Sequence, residues 1–330
     1  MIVAATLATG VGVIMLGLVL RIAAVDVPPV GRLYDVGGHR LHLDCRGEPN
    51  GNPTIVFESG AATPTPVYHH LAENLSKTHR FCMYDRAGLG WSEASGVPTE
   101  IPGVTEQLHS LIDAAGITKP FVLAGHSIAG LYMKSYIQRY PEDVLAVGFL
   151  DASHPEQRKI FGVPVEPDAA LSFEQRALKV LIYLGVTRLY DPQMSPQIVE
   201  QFPPDVVAQF AHFNQSSAQV DAGFNEIAGI GQSMDLTPSD VEYGNLPVLV
   251  VSAGEAFELP PSFSISAQQA REAWLDLQAD LASLSTASTH IVMDSANHLS
   301  MVTDKANAHQ VADYLRDLVV QTQTPVPDGQ

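Results

Sequence analysis

The sequence predicts an α/β protein built on a mostly parallel sheet with helices on both faces. Three observations predict it. Short apolar runs recur as buried strands at residues 54–58, 80–84, 121–124, 145–150, 246–251 and 289–293. Helical stretches separate most of them, the alternation that parallel pairing requires. The run Phe121-Val122-Leu123-Ala124 leads into Gly125-His126-Ser127-Ile128-Ala129-Gly130, which reads as strand, sharp turn with a serine at its tip, then helix.

Composition agrees. A chain of 330 residues with 46% hydrophobic content suits one large α/β domain carrying an insertion, or two modest domains. The formal net charge of −18 argues against a nucleic-acid partner or an anionic membrane surface, because both select clustered Lys and Arg. Cys45 and Cys82 are too few for a disulfide scaffold, and their spacing matches no zinc pattern. No metal or cofactor is expected.

In chain order, residues 2–20 carry no charged side chain before Arg21. Residues 1–26 therefore read as an uncleaved membrane anchor. A cleaved signal peptide, which would make the protein secreted, and a buried core helix are the competing readings. No basic residue precedes the run, although Ala23 and Ala24 keep cleavage open. The side of the membrane stays undetermined. Val27-Pro28-Pro29-Val30-Gly31 is a linker. Arg32–Val36 and Arg40–Cys45 alternate apolar and polar around Gly37-Gly38 and form a hairpin. After the strand at 54–58, residues 67–76 form a helix. After the strand at 80–84, residues 104–116 form another, stopped at Gly116. The serine-bearing turn opens a helix over 131–140, and Pro141 ends it. The strand at 145–150 follows.

The rhythm is then lost for about ninety residues, too long for an ordinary connection. Helices are expected over 173–184, 205–213 and 220–230. Residues 152–245 are read as a helical lid inserted into a core of 27–151 and 246–320, at the sheet edge where such folds bind ligands. The strand at 246–251 resumes the pattern. A helix over 267–284 follows, in which Trp274 falls at core spacing. The last strand, 289–293, and a helix over 306–320 complete the core. The tail 321–330 is expected to be disordered.

The chemistry follows from the turn. A serine hydroxyl needs a base to take its proton, and the base needs an acid to orient it. Ser127 is the candidate nucleophile, and Gly125 and Ala129 keep its flanks small. His298, on the loop after the last strand, is the candidate base. His69, His70, His109, His154, His212 and His290 read as structural or exposed. The acid is open between two loops. Asp151 stands at the end of the 145–150 strand and is preferred. Glu255 and Glu258, after the 246–251 strand, bracket Phe257, where an aspartate would be usual. The oxyanion hole needs two backbone N–H groups. Ile128, after the nucleophile, and Ala61, in the Ser59-Gly60-Ala61-Ala62 loop, are the candidates.

These features resemble the α/β-hydrolase family, over nearly all of residues 31–320. The segments Tyr34-Asp35-Val36-Gly37-Gly38-His39-Arg40-Leu41-His42-Leu43, Tyr84-Asp85-Arg86-Ala87-Gly88-Leu89-Gly90-Trp91-Ser92 and Leu150-Asp151-Ala152-Ser153-His154-Pro155 are similar to a bacterial group of serine esterases and lipases with an N-terminal apolar segment. The last segment also resembles lipases that take their acid from this earlier strand. Ser59, Ala129 and the missing aspartate at 257 depart from the usual pattern. The resemblance implies eight strands in the order one, two, four, three, five, six, seven, eight. The strands carrying Cys45 and Cys82 are then neighbours. A cross-strand disulfide and two buried thiols are both open, the bridge needing an oxidising compartment.

The resulting expectation is a serine hydrolase of carboxylesterase type, acting on a small, apolar acyl substrate through an acyl-serine intermediate. Peptidase, thioesterase or another reaction on the same triad remains open, as does a non-catalytic binding protein on this fold.

Overall fold

The computed structural model describes residues 2–24, 27–96, 101–161, 172–191, 194–239, 241–255 and 265–323. Eight strands form one sheet in the order β1-β2-β4-β3-β5-β6-β7-β8. They are β1 (Arg32–Asp35), β2 (Arg40–Arg46), β3 (Ile55–Glu58), β4 (Phe81–Asp85), β5 (Phe121–His126), β6 (Val144–Leu150), β7 (Val248–Ala253) and β8 (Ser288–Met293). β1 and β2 pair antiparallel with each other, and β2 pairs antiparallel with β4. All later pairings are parallel. In the β2–β4 register Cys45 stands opposite Cys82, and the two form a disulfide.

Side-chain alternation splits the core into two layers. Val56, Leu123 and Val250 face one side, against helix α3 (Gly103–Ala115), helix α4 (Ala129–Arg139) and helix α10 (Ala267–Ser283), with Leu111, Ile112, Met133, Tyr136 and Leu281. Ile55, Phe57, Val122 and Val251 face the other, against helix α2 (His69–Leu75) and helix α12 (Lys305–Gln323), with Leu71, Leu75, Val311 and Leu315. The central strands β3 to β7 are buried on both faces, as their continuous apolar runs require. Gly116 ends α3 in the left-handed conformation at φ 63°, where other residues pay a steric cost. Helix α12 runs on to Gln323, into the stretch expected as a disordered tail; the rest of that tail lies outside the described residues.

Between β6 and β7 the chain leaves the sheet for helices α5 (Gln157–Phe161), α6 (Phe173–Tyr183), α7 (Pro196–Gln201), α8 (Pro204–Asn214) and α9 (Ser217–Leu236). α5 and α7 are too short to show a helical period in sequence, and α9 extends beyond the expected 220–230 at both ends. Helix α11 (Ser300–Thr303) is a single turn before α12.

The charge-free N-terminal run forms helix α1 (Ile2–Ile22). Among the described residues no helix is long and apolar enough to cross a membrane. The side chains of α1 are described from Thr9 on; most of them are exposed, and the helix touches the protein along Gly17 and Arg21. A Cβ at Gly17 would come within 2.7 Å of Leu184 O, so the glycine permits that close crossing. Arg21 donates to Tyr183 O, and its guanidinium lies 4.6 Å from the centre of the Tyr183 ring.

Candidate active site

The C-terminal ends of the parallel strands gather the candidate residues. Ser127 follows β5 directly and sits at φ 61°, a conformation that costs a non-glycine residue energy. Close packing enforces it. A Cβ on Gly125 would lie 2.5 Å from Ala129 Cβ, and one on Gly130 would lie 2.4 Å from Ser153 O. The alanine at 129 is thus accommodated because 125 has no side chain. Backbone bonds tie the turn to the next strand: Ser127 N donates to Leu150 O at 3.1 Å, and Ser153 N to Ser127 O at 2.7 Å.

His298 lies between β8 and α11. Its Nε2 is 3.0 Å from Ser127 Oγ, and its Nδ1 is 2.6 Å from Asp151 Oδ2. Asp151 follows β6, is fully buried, and has φ 42°. A buried carboxylate must be fully hydrogen-bonded to stay charged. Its other oxygen, Oδ1, accepts from Ala253 N at 2.9 Å and from Trp274 Nε1 at 2.7 Å. Burial pushes the Asp151 carboxyl up, but the hydrogen bond and charge of His298, with the Ala253 and Trp274 donors, outweigh it and hold it below the usual carboxylate range. Trp274, read from sequence as core only, is buried and also a donor to this group.

Of the other candidate acids, Glu255 is described. Glu255 is exposed, and its carboxylate accepts from Asn297 Nδ2 at 3.3 Å. Glu258 and Phe257 lie outside the described residues.

His126, between Gly125 and the serine, was not singled out by its sequence context. It is buried, and its Nε2 donates to the His298 backbone oxygen at 2.9 Å. Its Nδ1 faces Tyr68 Oη at 3.4 Å, and Tyr68 Oη accepts from Gly60 N at 2.6 Å. With the Tyr68 hydroxyl donating to Nδ1, one chain of hydrogen bonds joins the Gly60 loop to the His298 loop. Burial, then the nearby His298, push the His126 imidazole down to about 3, so it is neutral around pH 7.

The two expected oxyanion donors share one apolar cluster, in which Ala61 packs with Ile128, Leu131, Tyr132 and Met234. The amides around Ala61 are committed: Gly60 to Tyr68, Ala62 to Glu226, and Thr63 to Gly60 O. Ala62, at φ 54°, is the third non-glycine residue with positive φ among the described residues, and all three lie at this site.

Several aromatic residues expected in the lid pack the 152–245 segment onto itself or the core. Phe161 lies 6.3 Å from Trp274, Phe210 5.1 Å from Phe202, and Phe213 4.7 Å from Trp91. Among the described residues, His69, His70 and Glu73 on α2 bring metal-ligating atoms within 4.8 Å of one another. His70 Nε2 donates to Gln201 O at 3.0 Å, and its ring stacks on Phe202.

Comparison with known proteins agrees with this architecture. Residues 53–178 match a family model described as alpha/beta hydrolase fold. "Uncharacterized protein YbdG" of Bacillus subtilis is 33% identical over 177 residues, 52% of this chain and 52% of that protein. The matched stretches span about half or less of the length of the first curated relatives. Among solved structures, an enol-lactonase from Burkholderia xenovorans LB400 superposes with a TM-score of 0.59 at 20% identity, covering 88% of this chain and 100% of that one. An epoxide hydrolase from Vigna radiata superposes with a TM-score of 0.63 at 16% identity, covering 88% and 97%. The chain has the α/β-hydrolase fold, with an eight-stranded, mostly parallel sheet.

Proposed function

We propose that this protein is a serine hydrolase that cleaves an ester, or a related acyl bond, of a small substrate. The observation that carries the reading is the hydrogen-bonded line Ser127 Oγ–His298 Nε2 and His298 Nδ1–Asp151 Oδ2, at 3.0 and 2.6 Å. Ser127 Oγ attacks the substrate carbonyl carbon while His298 Nε2 takes its proton. The Ile128 and Ala61 N–H groups stabilise the oxyanion. When the tetrahedral intermediate collapses, the alkoxy group leaves with the proton from His298, and the acyl-serine remains. Water, deprotonated by His298, then attacks the acyl carbon; the acid departs and Ser127 regains its proton. Asp151, kept ionised by three hydrogen bonds, orients His298 and stabilises its charged form.

A serine at the elbow favours carbonyl substrates. Epoxide opening on this fold would need a carboxylate at that position to give a hydrolysable ester intermediate. In this reading the α5–α9 segment serves as the lid over the site, and the chain length of the acyl group is set there.

Turnover of p-nitrophenyl esters of increasing chain length tests the proposal. Ser127→Ala is expected to keep only the residual turnover that binding and the oxyanion hole supply, below that of Asp151→Asn. Asp151→Asn is expected to lose about 10⁴-fold in kcat, and Glu255→Gln to keep wild-type turnover. A folded wild-type protein inactive on the whole series, or Glu255→Gln losing more than Asp151→Asn, would overturn the assignment.

A further inference from the structure

Helix α9 presents one face to the site at helical spacing: Gln219, Ala222, Gly223 and Glu226. Each makes a specific contact with the core. Gln219 Oε1 accepts from Gly90 N at 2.6 Å. The Ala222 methyl approaches Gly88 so closely that a Cβ there would lie 2.9 Å away. A Cβ on Gly223 would lie 2.9 Å from Ala62 Cβ, so the glycine lets the helix settle on the Ala62 loop. One turn on, Ile230 and Met234 join the apolar cluster that holds Ala61 and Ile128.

Glu226 is 2% exposed in the middle of this contact. Its Oε2 accepts from Ala62 N at 2.5 Å and from Arg86 Nη2 at 2.8 Å, and its Oε1 accepts from Arg86 Nε at 2.5 Å. The same guanidinium grips the other side of the loop, donating to Ser59 O at 2.7 Å and Gly60 O at 2.6 Å, and to Glu58 Oε1 at 2.5 Å. Ala61 is therefore clamped from both sides: its preceding carbonyls by Arg86, its following amide by Glu226. The clamp holds Ala62 at φ 54°, which an alanine does not keep unaided.

We propose that Glu226, on helix α9, is a positioning residue that sets the Ala61 N–H of the oxyanion hole, a proposal that rests on the serine-hydrolase reading above. Glu226 reaches the loop from helix α9, 140 residues from Arg86 in the chain. Oxyanion donors act on the tetrahedral state and little on the bound ester, so the loss belongs in kcat.

The test uses the full chain, p-nitrophenyl butyrate as substrate, and butyl trifluoromethyl ketone as a probe whose hemiketal oxyanion needs the same N–H groups. Glu226→Ala is expected to lower kcat about 100-fold with KM changed less than about threefold, and to weaken the ketone by the same factor as kcat/KM. Glu226→Gln keeps an oxygen for Ala62 N–H without the charge, and is expected to lose about tenfold in kcat. It decides the matter alone if the alanine variant does not fold. Turnover within about threefold of wild type in the variants, or a fall in kcat with unchanged ketone affinity, overturns the proposal. A wild-type protein that neither turns over the ester nor reacts at Ser127 with a fluorophosphonate would instead overturn the hydrolase reading itself.

Discussion

Replacing Trp274 with phenylalanine isolates one hydrogen bond to Asp151 while keeping most of a buried aromatic side chain. The indole Nε1 donates to Asp151 Oδ1 at 2.7 Å, alongside Ala253 N at 2.9 Å. A hydrogen bond to a buried charged group contributes about 1.5–3 kcal/mol. Its loss raises the Asp151 carboxyl toward the ordinary carboxylate range. The sign of the stability effect follows. Asp151 is held below the usual carboxylate range in the folded protein, so its contribution is present above about pH 4 and is lost as pH falls through the folded value. Trp274→Phe therefore destabilises by about 2 kcal/mol at pH 7, and the gap to wild type closes in acid. Asp151 keeps two donors, so the kcat loss should be about 10- to 100-fold, smaller than for Asp151→Asn. Urea melts from about pH 7 down to about pH 2, through and below the ordinary carboxylate value, with p-nitrophenyl butyrate kinetics at neutral pH, provide the assay. A variant with kcat within about threefold of wild type and a stability gap that does not depend on pH would show that Trp274 only packs.

Three further outcomes are expected. Gly125→Ala places a Cβ 2.5 Å from Ala129 Cβ and 2.7 Å from Met133 Sδ, and should cost about 1–3 kcal/mol of stability; adding Ala129→Gly should recover part of it in thermal melts, and no recovery would refute the packing account. The Cys45–Cys82 bridge closes a separation of 37 residues, and loss of its loop-closure entropy in Cys45→Ser/Cys82→Ser should cost about 4 kcal/mol by denaturant unfolding; a change below about 1 kcal/mol would contradict it. Burial pushes His42 down, but its hydrogen bond and charge pairing with Asp85 outweigh burial and raise it. That stabilisation is complete below about pH 6.5 and is lost as pH rises through the folded value, so the stability difference between wild type and His42→Gln should shrink at alkaline pH and stay constant below it.

The strand order came only from the resemblance to the α/β-hydrolase family, whereas the turn at Ser127 and the loop at His298 were legible in local chain signals. The serine lies in a turn that only small flanking residues allow, and the histidine in the loop after the last apolar run. The acid was harder to place. Two adjacent parallel strands, β6 and β7, end side by side, and both carry carboxylates near their ends. Which one meets His298 depends on loop geometry: Asp151 is directed inward at φ 42°, whereas Glu255 is turned toward Asn297. Trp274 was legible as buried, because helical spacing reports burial, but spacing carries no information on where an indole N–H points. Glu226 lies where the strand–helix rhythm is lost, and its partners Ala62 and Arg86 are far away in sequence. The Gly223–Glu226 spacing becomes meaningful only once helix α9 is seen against the Ala62 loop.

The central claim, that Ser127 is an acyl-accepting nucleophile activated by His298, is tested most directly by fluorophosphonate labelling followed by mass spectrometry of the digested protein. The account predicts a single stoichiometric adduct on the peptide containing Ser127, absent in Ser127→Ala and strongly slowed in His298→Gln. Folded wild-type protein that stays unlabelled, or equal labelling of Ser127→Ala, would contradict it.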